Sequence, residues 1–123
     1  MTPRAATRLA KAEAFLAQLE TIAIKDASAA AVHLAYYAML HAATAVLLDK
    51  TGDAPKTHAG TIGQFSRIVL DDERSRRFGR TLSKAEQLRL LSDYDDQAAP
   101  TLADAEELRR TAIAFVAYCR SLL

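Results

Sequence analysis

The chain has 123 residues, half of them apolar, with 16 Lys and Arg against 15 Asp and Glu and a net charge of +1. That length supports one domain, residues 1–123, around one core, and so even a charge balance excludes a protein that holds nucleic acid by bulk charge alone. A single cysteine, Cys119, excludes an internal disulfide.

Much of the apolar half is alanine, the best helix former and small enough to let helices approach closely. Glycine and proline are few, and β-branched runs are absent. The expected fold is all-α: an up-and-down bundle of four long helices plus a shorter one. No apolar leader follows the basic N-terminal residues, and apolar stretches such as Ala42–Leu48 are too short to span a membrane. A cytoplasmic protein without a membrane partner is expected.

Thr2-Pro3 is a helix start, with Thr as cap and Pro at the first position. Leu9, Ala12, Leu16, Leu19 and Ala23 then mark one face of a helix to about Ile24. Asp26 is placed to cap a second helix, from Ala27 to about Lys50, which is apolar nearly all round and so reads as the central helix. His33, Tyr37, His41 and Thr44 form one polar-capable stripe along it. Gly52 suits its C-terminal stop.

After the loop Asp53–Lys56, Thr57 caps a third helix from His58 to about Leu70. Gly60 and Gly63 inside it suggest close approach of a neighbour. A fourth helix runs from about Asp72 to Ser92, with Phe78, Leu82, Ala85, Leu88 and Ser92 inward. A break at Gly79, with Ser83–Glu86 as a capping box, is the alternative. Asp93–Ala99 reads as a polar turn. The last helix starts at Pro100-Thr101, capped by Thr101 with Asp104 three residues on, and buries Ala105, Leu108, Ala112, Phe115, Cys119 and Leu122.

Few residues carry chemistry. Arg89 is a permanent cation whose planar fork suits phosphate, and Asp93 lies one turn on, with Tyr94 beside it. As a bare helix-end pair, Arg89 and Asp93 would contribute about 0.3–0.5 kcal/mol. His41 and His58 are the candidate proton carriers. Tyr37 and Lys56 are candidate binding residues, as are Arg77 and Arg80 in the basic run that follows Asp71-Asp72-Glu73. The histidine spacing does not make a zinc motif, and no glycine-rich phosphate loop occurs, so no metal or cofactor is expected.

Tyr36–Ala43, Pro55–Gly60 and Arg89-Leu90-Leu91-Ser92-Asp93-Tyr94-Asp95 occur in that order. With them the chain resembles the HEPN superfamily, in particular its small stand-alone bacterial and archaeal members grouped as UPF0332, over about residues 5–120. The resemblance implies a helical bundle that often forms homodimers. It also implies a minimal nucleotidyltransferase as partner in a toxin–antitoxin pair. Several such toxins are metal-independent endoribonucleases in which an Arg stabilises charge, and a His four to six residues later moves protons, as the RNA 2′-hydroxyl attacks the adjacent phosphate. Arg89 matches the Arg, but no histidine follows it; Asp93 and Tyr94 stand there instead. Tyr94 resembles, by nearness to Arg89, a tyrosine that some partners modify with AMP.

Three readings follow. The first is a dimeric HEPN module that binds nucleic acid or a partner without the usual histidine. The second is a ribonuclease in which His41 or His58 folds against Arg89. The third is a nucleotide- or small-ligand-binding bundle with Tyr37, His41 and Arg89 lining a pocket.

Overall fold

A computed structural model describes residues 1–69, 72–94 and 99–123. The Leu70 end expected for the third helix, Asp71, and the motif's Asp95 with the rest of the turn at 95–98 lie outside the described residues. The elements are α1 (Pro3–Glu20), a short 3-10 turn (Ile24–Asp26), α2 (Ser28–Thr51), α3 (His58–Ile68), α4 (Glu73–Tyr94) and α5 (Leu102–Ser121). Four helices have 18 to 24 residues and α3 has 11, as expected for an all-α bundle.

The Thr2 hydroxyl accepts the Ala5 N–H at 3.1 Å and Pro3 opens α1. The helix stops at Glu20, short of the expected Ile24. The Thr21 hydroxyl donates to the Gln18 carbonyl at 2.7 Å, and the chain then turns so that Ile24 is buried from the 3-10 segment. Asp26 belongs to that turn and does not cap α2, whose first turn has no side-chain cap.

α2 is the axis of the fold and packs against all four other helices. Buried Ala31, Ala35, Ala38, Ala42, Ala43 and Ala45 let them approach. The whole helix, though not its longest unbroken apolar run, is long and apolar enough to cross a membrane, and 78% of its most apolar window is buried inside the bundle. Its end is set by Gly52, at φ +83°, a left-handed conformation that favours glycine.

Thr57 caps α3 by accepting the Gly60 N–H at 3.0 Å. Gly60 does serve a close approach, because a Cβ there would lie 2.8 Å from Pro55 Cβ. Gly63 does not, since the nearest atom is Arg67 Nη1 at 3.6 Å. The tight α3–α4 contact falls instead at Gly79, where a Cβ would meet Ser66 Oγ at 3.2 Å.

α4 runs through Gly79 without a break, and Ser83–Glu86 form no cap. Its fully buried face is Gly79, Leu82, Ala85 and Arg89; Phe78, Leu88 and Ser92, expected inward, lie at the margins. Gly79 on this face is where the helix seats closely, against Ser66 of α3. On α5, Thr101 and Asp104 form the capping box. Phe65, Phe78, Phe115 and Tyr118 stack across α3, α4 and α5, with centroids 4.2 to 6.1 Å apart. Full burial of such a side chain contributes about 1.5–3 kcal/mol. Cys119 is a buried free thiol, which burial pushes above its usual range.

Candidate functional site

At the C-terminal end of α4, the apolar core gives way to a cluster of charged and aromatic side chains from α2, α3 and α4. Arg89 is at its centre and only 8% exposed. It continues the inward face set by Leu82 and Ala85, three and four residues apart, so the periodicity that buries those side chains also buries the guanidinium. Nη1 donates to Asp93 Oδ2 at 3.3 Å. The guanidinium lies 5.0 Å from the Tyr36 ring centroid and 5.9 Å from that of Tyr37. Burial opposes the charge of Arg89, but Tyr37, Tyr36 and Asp93 outweigh it and raise its pKa. Its Nε–H is buried and meets no acceptor among the described residues, a condition that costs about 1–3 kcal/mol. The Arg89–Asp93 helix-end pair forms, and its cation is buried.

His58, the first residue of α3, comes to this cluster from 31 positions away, with Nδ1 3.5 Å from Arg89 Nη2. The Tyr36 hydroxyl lies 3.0 Å from His58 Nδ1 and donates to Glu86 Oε2 at 2.9 Å. A carboxylate only accepts, so the Tyr36 proton goes to Glu86 and the Tyr36 oxygen accepts from His58. Nδ1–H then cannot also accept from Arg89, and the shorter contact decides. This leaves the lone pair of His58 on Nε2. Burial first, then the bond to Glu86 and its charge, raise the Tyr36 pKa and keep the phenol protonated.

Asp93 also pairs with His33 Nε2, so it bridges α4 to α2. The stripe on α2 is real: the His33 and Tyr37 rings stack at 6.2 Å, and Tyr37 meets His58 edge-on at 5.7 Å. His41 sits further along it. Its ring lies parallel to Phe15 at 5.4 Å, and Arg8 donates to its Nδ1 at 3.2 Å. Burial, then Arg8, Lys11 and His58, lower its pKa to about 4. It is neutral at pH 7 and makes no contact with Arg89 among the described residues.

Beside this cluster opens a cleft of about 450 Å³ between α1, α2, α3 and the loop before α3, lined by Tyr37, His41, Lys56 and His58 among others. Tyr94 ends α4 and is 75% exposed. Arg77 and Arg80 are exposed and lie about 18 and 14 Å from Arg89 along the helix axis, at 1.5 Å per residue. Arg80 is held by Glu73 at 2.7 Å. The structure thus brings together Arg89, Asp93, His58 and Tyr37, sets His41 and Lys56 beside them, and leaves Arg77 and Arg80 apart.

Sequence reasoning missed three members of the cluster. Glu86 was readable only as a possible capping residue, although it lies three positions before Arg89 and hence on nearly the same face. Tyr36 stood in a motif without a role, and His33 was read only as part of the α2 stripe. Among the described residues, no group of three or more His, Cys, Asp or Glu side chains is arranged to hold a metal.

A helical bundle with a buried arginine set against histidine and acid at the end of one helix defines the class of protein. The chain belongs to the HEPN domain family, whose model matches residues 5–122. A relative from Methanocaldococcus jannaschii, named "Putative toxin MJ0605", is 38% identical over 87 residues, which cover 70% of this chain and 63% of that protein.

Proposed function

We propose that the chain is a toxin of the HEPN family that cleaves RNA without a metal, with Arg89 and His58 as its catalytic pair. The observation that carries this reading is the approach of His58 to within 3.5 Å of Arg89, which supplies a histidine where the sequence after Arg89 has none. A buried cluster of this kind is poor support for stability, because desolvation opposes the gain from each pair. Perturbed groups beside a cleft are instead a mark of function. The relative named as a toxin agrees with the reading.

In this chemistry the RNA 2′-oxygen bonds to the adjacent phosphorus and the bond from phosphorus to the 5′-oxygen breaks. His58 Nε2 takes the 2′-hydroxyl proton. Arg89 offers an Nη2–H, on the side that faces His58, to the charge that builds on the phosphate oxygens. The departing 5′-oxygen takes a proton from water, leaving a 2′,3′-cyclic phosphate, and His58 returns its proton to solvent. Tyr36 and Glu86 act through His58 as positioning residues that hold its tautomer. Asp93 holds Arg89 in place through their ion pair.

The dimer and the nucleotidyltransferase partner belong to the same proposal. Leu90, Leu91 and Tyr94, exposed at the end of α4, supply apolar surface for another chain to cover. A second reading, a module that binds without cleaving, is favoured by one fact: the Arg89 side chain is only 10% exposed and already engaged by Asp93.

The test is RNA cleavage in EDTA by wild type, Arg89→Ala and His58→Ala. Cleavage by wild type that leaves cyclic-phosphate ends and is lost in both variants is the expected result. A folded wild type that leaves RNA intact would overturn the ribonuclease in favour of the binding module.

A further inference from the structure

The cleft beside the Arg89 cluster has a charge and shape that the cleavage chemistry alone does not use. Three cations line it, Arg4 and Arg8 from α1 and Lys56 from the loop before α3, against one acid, Asp53. None of the three cations has a carboxylate partner among the described residues. Arg8 is spent on a neutral imidazole, His41, Arg4 reaches only the Gly52 carbonyl at 3.4 Å, and Lys56 is exposed. Cations left without acids around a concavity make a site for an anion. Burial is the first cause of the low pKa of His41, and the charges of Arg8 and Lys11 add to it.

The lining is also aromatic. Tyr37, His41 and His58 line a cleft whose volume, about 450 Å³, falls within the range of small-molecule sites. Aromatic side chains beside cations suit a nucleobase with its phosphate better than a bare anion or an acidic peptide. His58 belongs both to this lining and to the Arg89 cluster, so a ligand here would be continuous with one bound there.

We propose that the cleft is a nucleotide subsite, which seats the base against Tyr37 and the phosphate on Arg8 and Lys56. It rests on the RNA reading in taking this nucleotide to be the neighbour of the one whose phosphate meets Arg89. The ligand chemistry is that of a nucleotide, supplied by an RNA strand or by a free mononucleotide.

The experiment measures binding, by fluorescence anisotropy, of a labelled RNA oligonucleotide methylated at every 2′-oxygen and therefore uncleavable. AMP serves as competitor. Lys56→Ala and Arg8→Ala are each expected to weaken binding about 3- to 10-fold and to lower the slope of log K against log salt by about 0.7, the share of one phosphate contact on a single strand. Displacement by AMP at comparable affinity would make a free mononucleotide the ligand; displacement only by RNA would make it the strand. Lys56 is exposed, so its variant tests the subsite even where Arg8→Ala disturbs the fold.

No binding by wild type, or equal binding by wild type and Lys56→Ala, would overturn the subsite. Because the probe cannot be cleaved, the two readings fail separately. Loss of binding in Lys56→Ala with no cleavage of ordinary RNA keeps the subsite and removes the ribonuclease. Arg89-dependent cleavage with unchanged binding does the reverse.

Discussion

The Tyr36 hydroxyl lies 3.0 Å from His58 Nδ1, joining the middle of α2 to the first residue of α3. The same hydroxyl donates to Glu86 on α4, so one phenol ties three helices and sets which nitrogen of His58 carries the proton.

Tyr36→Phe keeps the ring beneath Arg89 and removes only the oxygen. Glu86 loses a part-buried donor, which lowers stability by about 1–3 kcal/mol in thermal or urea unfolding. Cleavage per folded molecule falls about 10-fold, in kcat rather than KM, with a displaced pH profile. An unchanged rate and profile would reduce the Tyr36–His58 contact to a packing role.

Arg89→Lys keeps the charge but not the planar fork or the stacking over Tyr36 and Tyr37. The variant should unfold about 1–2 kcal/mol more easily. Its RNA cleavage should drop about 100-fold or more, as when an oxyanion donor is removed. A lysine that supports normal cleavage would show that only the charge matters.

His41 makes the fold acid-sensitive. Its pKa is about 4 in the folded chain against 6.5 for a free histidine. Between those values the unfolded chain binds a proton that the folded chain refuses, so stability is full above pH 6.5 and is lost as the pH falls toward 4. Arg8 and Lys11 from α1 and His58 from α3 are the charges and titratable groups that face it. With allowance for solvent around a half-buried ring, the loss at pH 5 is about 1 kcal/mol. Urea unfolding at pH 7 and pH 5 should show that extra loss in wild type and not in His41→Leu.

The two glycines of α3 should respond in opposite directions. Gly63→Ala meets only Arg67 Nη1, at an ordinary contact distance of 3.6 Å, and gains helix propensity, up to about 1 kcal/mol. Gly60→Ala gains the same propensity but drives a Cβ to 2.8 Å from the rigid Pro55 ring, a clash that costs about 1–3 kcal/mol. Melting temperatures of the two variants should therefore move apart, with Gly60→Ala the lower. Because Pro55 and Lys56 frame the cleft, Gly60→Ala should also weaken oligonucleotide binding.

Local patterns were legible in the amino-acid order because they are set within a few residues. The caps at Thr2, Thr57 and Thr101, the stop at Gly52, the buried spacing of α5 and the Arg89–Asp93 pair all depend on neighbours three or four positions away. The early end of α1 was missed because Thr21 offers the backbone a competing bond that apolar periodicity does not register, and the uncapped start of α2 because Asp26 belongs to the 3-10 turn. Only the tertiary structure decided that α4 turns Arg89 inward and that His58, not His41, reaches it. It also decided that Glu86 meets Tyr36. Those contacts span 22 to 50 positions, and they follow from how closely the small residues of α2, α3 and α4 let three helices pack. No local periodicity contains that distance.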